Sequence, residues 1–160
     1  MQRDSFRTAQ AIALLLPLAL IAGALGSQVF GGLIPCEMCH WQRWPHYAAI
    51  IVAAMSFAIP HRPTRMLFVL VAGVLIALSG AIGIFHAGVE YHWWYGITPC
   101  STPVAGGDPA SILAAQFKQP LIRCDAAQWE LFGISLAGFN AIISLAGAVA
   151  IFVLAARRPR

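Results

Sequence analysis

A chain of 160 residues, 59% hydrophobic and only 10% charged, has too few polar groups to coat a water-soluble globule, which typically carries about 25% charged residues. Its mean hydropathy of +0.74 instead fits a single membrane-embedded domain covering residues 1–160. The net charge of +4 does not point to a nucleic-acid partner, because no basic run is interleaved with aromatic residues.

The first stretch without Asp, Glu, Lys or Arg runs from Thr8 to Cys36, with an apolar heart from Ala9 to Phe30. A hydrocarbon core about 30 Å thick needs roughly 20 apolar residues of helix, so residues 9–30 form the first expected span. Arg3, Arg7 and the small residues from Ala22 to Ser27 give this stretch some features of a cleaved signal peptide. Its apolar run exceeds the roughly 7–15 residues usual for one, and an uncleaved helix is expected.

Residues 34–45 then read IPCEMCHWQRWP. Cys36 and Cys39 have the C-x-x-C spacing of a redox disulfide, and with His40 they also spell the C-x-x-C-H signature of c-type haem attachment. Haem attachment consumes the thiols that a disulfide needs, so the two readings exclude each other. The second span is expected at residues 42–59, starting just before Pro45, because proline fits the first turn of a helix. Arg43 then lies at its membrane-interface end. On this reading Cys39 lies just ahead of a helix N-terminus, whose dipole favours an anion. Arg43 reinforces that field, and both effects lower a thiol pKa and favour the reactive thiolate.

After the short loop at residues 60–65, the third span is expected at residues 66–88 and the fourth at 131–156. Small residues offer close packing surfaces on both: Gly73, Ala77, Gly80 and Gly83 on the third, and Ala137, Ala141, Ser144 and Ala148 on the fourth. Asn140 is placed to hydrogen-bond across the bundle. Between these spans, Tyr91, Trp93, Trp94 and Tyr95 suit headgroup level. Asp108 and Pro109 form a helix start, and the following ASILAAQF fits a short interfacial helix ending before Pro120. The expected fold is an all-α membrane protein: a four-helix transmembrane bundle with a short interfacial helix in its second outer loop.

Orientation follows from the arginines. Both termini and the 60–65 loop hold seven of the ten basic residues, and the opposite side holds five of the six acids. The positive-inside rule puts residues 1–8, 60–65 and 157–160 in the cytoplasm and the loops 31–41 and 89–130 outside. All four cysteines (Cys36, Cys39, Cys100 and Cys124) then face one oxidising compartment, as disulfide chemistry requires. Four cysteines allow three pairings. Closing a two-residue loop removes little unfolded-state entropy, so Cys36–Cys39 is a poor staple and a good redox switch. Haem would leave Cys100 and Cys124 unexplained, and a four-cysteine zinc site normally draws on two close pairs. No metal or haem is expected.

Four spans, PCEMCHWQR before the second, two cysteines in the second outer loop and the CDAAQWELFG run from Cys124 to Gly133 together resemble the DsbB family of bacterial thiol–quinone oxidoreductases. The resemblance covers nearly the whole chain. It implies an inner-membrane enzyme that reoxidises a periplasmic DsbA-like thioredoxin-fold oxidase and delivers the electrons to the membrane quinone pool, ubiquinone or menaquinone. It further implies that quinone oxidises the Cys36–Cys39 pair, with Cys39 as the thiolate facing the ring. Cys100 would take the mixed disulfide with the partner, Cys124 would resolve it, and a transient Cys36–Cys124 bond would link the loops. Arg43 would bind or polarise the quinone, and His86 would stand beside it. Glu90 stands where well-known members carry glutamine, and Gln42 where they carry glutamate; both are expected in the polar lining of the quinone site. The other histidines carry no strong functional signal. Two further readings are a membrane c-type haem electron carrier, and a quinone reductase like vitamin K epoxide reductase, whose active pair lies late in its chain.

Overall fold

In the computed structural model, residues 2–98, 108, 110 and 123–157 are described. Four long helices account for most of them: α1 (Gln2–Val29), α2 (Glu37–Ala58), α3 (Arg62–Glu90) and α4 (Leu136–Ala156). A two-stranded antiparallel hairpin, β1 (Glu130–Leu131) and β2 (Ile134–Ser135), precedes α4. Among the described residues, three helices are long and apolar enough to cross a membrane: Asp4–Val29, Arg62–Glu90 and Leu136–Ala156. The 22 residues of α2 span about 33 Å at 1.5 Å per residue, but its first half carries Glu37, His40, Gln42, Arg43 and His46. That polar half belongs to the site.

α3 packs mainly on α4 and α2, while α1 closes the bundle against α2 and α4. Its inward stripe is made of small or short residues: Val69, Ala72, Gly73, Ile76, Ser79, Gly80 and Gly83 are all buried. The outward stripe is large and apolar, with Leu67, Val71, Val74 and Leu78 exposed. A water-soluble protein avoids so large an exposed apolar face, whereas lipid accepts it, and small inward residues let the backbones approach. Gly83 shows the limit of that approach, since a Cβ there would lie 3.0 Å from the Ala137 carbonyl oxygen of α4.

The interior divides by chemistry along the bundle axis. At the end bearing the N-terminus, Ala9, Ala13, Ala49, Ala53, Val69, Ile76 and Ile151 form an apolar core. At the opposite end a second cluster joins Cys36, Met38, Val89 and Cys124. Between them lies a layer of buried polar side chains that includes Gln42, His46, Ser79, His86 and Ser144.

Several boundaries differ from the sequence expectation. α2 begins at Glu37 with Cys36 as its N-cap, so Pro45 lies two turns inside the helix, where neighbouring helices tolerate it. Cys39 is accordingly in the first turn of α2 and not ahead of it. Residues 130–135 form the hairpin, and α4 starts only at Leu136. Its turn residues Phe132 and Gly133 have φ of 53° and 75°, the positive pair that a two-residue hairpin turn demands. The Tyr91 hydroxyl clamps the hairpin to the end of α3, accepting from the Ser135 N–H at 2.8 Å and donating to the Gly133 carbonyl at 3.1 Å. In the expected interfacial helix, Asp108 accepts from the Ala110 N–H at 2.8 Å, as an N-cap does. The rest of that segment lies outside the described residues.

Candidate active site

The C-x-x-C pair is built by the turn between α1 and α2. Gly32, at φ 65°, takes the left-handed position that ends α1, and the Gly31 and Leu33 N–H groups both close onto the Ser27 carbonyl. Cys36 then caps α2, its Sγ accepting from the Cys39 N–H at 3.3 Å, where a serine or aspartate oxygen commonly sits. The two sulfurs are 3.1 Å apart, with the Cys36 thiol donating to Cys39. Both cysteines are free, so this is the reduced pair.

That hydrogen bond from Cys36 holds the Cys39 thiol below its ordinary pKa. Burial and the Glu90 carboxylate push the other way, and Arg43 adds a smaller downward pull. The same bond to Cys39, followed by burial, drives the Cys36 thiol well above its ordinary value. The pair is therefore polarised: a protonated Cys36 and a Cys39 biased toward the thiolate, which is the nucleophilic form.

A continuous hydrogen-bonded chain leads inward from Cys36. His86 Nε2 lies 3.5 Å from Cys36 Sγ, and His86 Nδ1 lies 2.7 Å from Gln42 Nε2. Gln42 Oε1 accepts from Asn140 Nδ2 at 2.8 Å, and Asn140 Oδ1 meets His46 Nε2 at 3.0 Å. Two backbone carbonyls, which can only accept, orient the amides: Met38 O receives Gln42 Nε2 at 3.4 Å and Ser79 O receives Asn140 Nδ2 at 3.3 Å. Gln42 must then donate to His86 Nδ1, which leaves the His86 proton on Nε2, facing Cys36. Glu90 Oε1 lies 3.7 Å from that same Nε2, and its other oxygen accepts from the Ser135 hydroxyl.

Cys124 is fully buried in the cluster that holds Cys36 and is disulfide-bonded. Its loop is tied to the first one by Gln128, which accepts from the Ile34 N–H at 3.0 Å and donates to the Ile34 carbonyl at 2.5 Å. On the other side of the pair, a cavity of about 340 Å³ lies between α1 and α4 with α2 as its floor. Cys39, Gln42, Arg43, His46, Trp129 and Asn140 line it, among aliphatic residues such as Leu20, Ile21 and Ile143. Its size and mostly apolar wall suit a small organic ligand held by a few polar groups.

Residues 6–154 match the family described as Disulfide bond formation protein DsbB. The chain belongs to the DsbB family. Among curated relatives named Disulfide bond formation protein B, that of Dechloromonas aromatica is 29% identical over 150 residues, covering 86% of this chain and 84% of the relative. The Polaromonas sp. protein is 30% identical, covering 88% and 87%. The Acinetobacter baylyi protein is 31% identical, covering 91% and 90%. No solved structure matches significantly. As a DsbB-family chain with apolar spanning helices, this is a membrane protein of disulfide bond formation.

In this DsbB-family site, Cys36, Cys39, His86, Gln42 and Glu90 come together as one connected group, and Arg43 lines the same cavity while donating to Gln28 Oε1 at 2.7 Å. Gln42 and Glu90, exchanged in type relative to the pattern noted above, flank the two nitrogens of one imidazole. Cys100 lies outside the described residues. His40 is exposed, whereas His46, which carried no signal as a lone histidine, is buried in the site. Its signal was spacing: Cys39, Gln42, Arg43 and His46 stand at i, i+3, i+4 and i+7, one face of a helix. Asn140 does bond across the bundle, and it joins α2, α3 and α4 within the site. Gln28, Gln128 and Ser135 had no local pattern to mark them. Cys36, Cys39 and His86 also place three donor atoms within 4.8 Å of one another, a geometry able to hold a thiophilic cation if a fourth ligand joined.

Proposed function

We propose that this protein is a disulfide oxidoreductase of the bacterial inner membrane, with cytoplasmic termini and periplasmic redox loops. It reoxidises a periplasmic DsbA-like thioredoxin-fold oxidase and passes the electrons to membrane quinone. The observation that carries this reading is the polarised Cys36–Cys39 pair on the rim of a mostly apolar cavity between two lipid-facing helices. A quinone held there would accept two electrons and two protons, which is what a dithiol releases on becoming a disulfide. The residues present suit such a group: an apolar wall, a thiol at the rim and Arg43 beside it.

The chain's own part is to arrange and discharge the thiols. Cys36 stays protonated and donates to Cys39, so the thiol facing the cavity is the nucleophile. His86 holds its Nε2 proton toward Cys36, and Arg43 contributes fixed positive charge beside the ring site. Cys100 takes the mixed disulfide with the partner and Cys124 resolves it. Cys124 lies in the same cluster as Cys36, which supports an exchange between the two loops.

The test follows quinone loss in the presence of a reduced thioredoxin-fold partner. Cys36→Ser and Cys39→Ser are each expected to abolish turnover, and unchanged turnover in either rejects the mechanism. Cys100→Ser is expected to stop the partner reaction while leaving quinone binding intact.

A further inference from the structure

Three metal-type donors converge among the described residues. Cys36 Sγ, Cys39 Sγ and His86 Nε2 all lie within 4.8 Å of one another. This is a different donor set from four cysteines, and spacing hides it, because His86 stands 50 residues beyond Cys36. A tetrahedral zinc ion, with Zn–S of about 2.3 Å and Zn–N of about 2.0 Å, sets its sulfurs about 3.8 Å apart and each sulfur about 3.5 Å from the nitrogen. The Cys36 sulfur is already 3.5 Å from His86 Nε2. The two sulfurs, now 3.1 Å apart, need to part by only about 0.7 Å, a small turn of one side chain.

A cation lodged between its donors needs no exposed ligand atom, only a way in and room for its remaining ligand. Cys39 is the half-open member of the set, and Cys36, Cys39, His86 and Glu90 line a small void of about 50 Å³. That is room for a water molecule in the fourth position, completing the Cys₂His set with which zinc also binds water in enzymes. Glu90, whose Oε1 is 3.7 Å from His86 Nε2, lines the same void and is placed to accept from that water. Two thiolates also neutralise a divalent cation, so the buried complex carries no net charge of its own.

We infer that the reduced Cys36–Cys39 pair and His86 form a binding site for a redox-inert, thiophilic divalent cation of the zinc class, a site that the oxidised pair lacks. The ion displaces the two thiol protons to solvent, forms two sulfur–metal bonds and one nitrogen–metal bond, and moves no electrons. Sulfurs committed to the metal are withheld from disulfide formation, so the ion holds the pair reduced. The site depends on the thiol pair and His86, and it stands whichever acceptor takes the electrons.

Gln42 sets the strength of this site. It donates to His86 Nδ1, which keeps the imidazole proton on Nε2. Coordination through Nε2 moves that proton to Nδ1 and obliges the Gln42 amide to turn its oxygen toward it. That turn gives up the bond the same oxygen accepts from Asn140. Gln42→Glu would accept from Nδ1–H with no such turn, as in a carboxylate–histidine–zinc pairing.

The test is metal binding to the untagged full chain in detergent micelles, with Cys100→Ser and Cys124→Ser throughout so that only one pair changes redox state. The probes are Zn²⁺, titrated against a chromophoric chelator, and Co²⁺, whose thiolate charge-transfer and tetrahedral d–d bands report its ligands. Protein reduced with a phosphine and then freed of it is expected to bind one ion and show both bands. Protein oxidised with diamide is expected to show neither. Cys39→Ser is expected to weaken the charge-transfer band. His86→Ala is expected to weaken binding by at least about tenfold and Gln42→Glu to tighten it about tenfold, the scale on which partners of a metal-bound histidine act. His86→Gln serves should His86→Ala not fold. Equal binding by reduced and oxidised protein, or a Co²⁺ spectrum without a thiolate band, would mean adventitious surface binding and overturn the site. Binding unchanged in His86→Ala, or not tightened in Gln42→Glu, would remove the imidazole from the set and overturn it equally.

Discussion

Gln128 holds Ile34 by both of its backbone polar groups, accepting from the N–H at 3.0 Å and donating to the carbonyl at 2.5 Å. A single side-chain amide thus imitates one rung of a β-ladder between two loops. Ile34 stands two residues before Cys36 and Gln128 four residues after Cys124, so the rung fixes the approach of the two sulfur-bearing segments. Gln128→Leu is expected to slow turnover with the thioredoxin-fold partner about tenfold, the scale of one or two exposed hydrogen bonds. Equilibrium binding of quinone, measured without turnover, is expected to hold. Equal losses in both assays would show that Gln128 supports the site as a whole and not the passage between loops.

The polarity of the thiol pair predicts a pH response with a definite sign. Cys39 is held below the ordinary thiol range chiefly by the hydrogen bond from Cys36, so its thiolate persists at lower pH than that of a free cysteine. Cys36→Ala removes the donor, and the pH profile of Cys39 alkylation is expected to move upward. Glu90 pushes the same group up and Arg43 pulls it down. Glu90→Gln should therefore move the profile to lower pH, and Arg43→Met to higher pH by less than Cys36→Ala does. An unmoved profile in Cys36→Ala would assign the thiolate to the helix N-terminus instead.

Gln42 and Glu90 flank His86 from its two nitrogens, and this predicts a coupling. Gln42→Glu gives the imidazole two carboxylate neighbours, and Glu90→Gln gives it none. The double exchange restores one. Each single variant is expected to lose catalytic efficiency, and the double variant to recover part of it, with a coupling of about 0.5–3 kcal/mol in a double-mutant cycle on kcat/KM. Strict additivity would mean that His86 does not sense the two groups jointly.

The α3–α4 contact at Gly83 has no room for a side chain. Gly83→Val places a Cβ 3.0 Å from the Ala137 carbonyl and 3.1 Å from the Ala141 nitrogen, both backbone atoms that cannot rotate away. The expected cost is about 1–3 kcal/mol, read as a lower thermal unfolding midpoint in detergent. An unchanged midpoint would show that the two helices separate freely there.

The bundle was legible because a lipid-exposed helix needs a long charge-free run, and α1, α3 and α4 each have one. α2 was harder, since its outer half trades hydropathy for the site. Pro45 suggested a start that the Cys36 cap and first turn overruled, because neighbouring helices tolerate an interior proline. The hairpin at 130–135 was hidden in an apolar stretch whose length suggested only helix. In the site, the residues visible in sequence were those close together in the chain, such as Cys36, Cys39 and Arg43. Asn140 and Gln128 act across 98 and 94 residues, and no local pattern marks a partner so distant.

The burial of the pair has a consequence for traffic. Cys36 is 4% exposed, packed with the fully buried Cys124, and Cys39 is only partly open. A dissolved small thiol cannot readily line up its sulfur with a disulfide formed between two sulfurs so enclosed. On the proposed relay, electrons from small thiols in the surrounding fluid would thereby be kept from passing straight to the membrane quinone. On that reading the enclosure of Cys36 and Cys124 insulates the pair, and access to its sulfurs sets which donors can react.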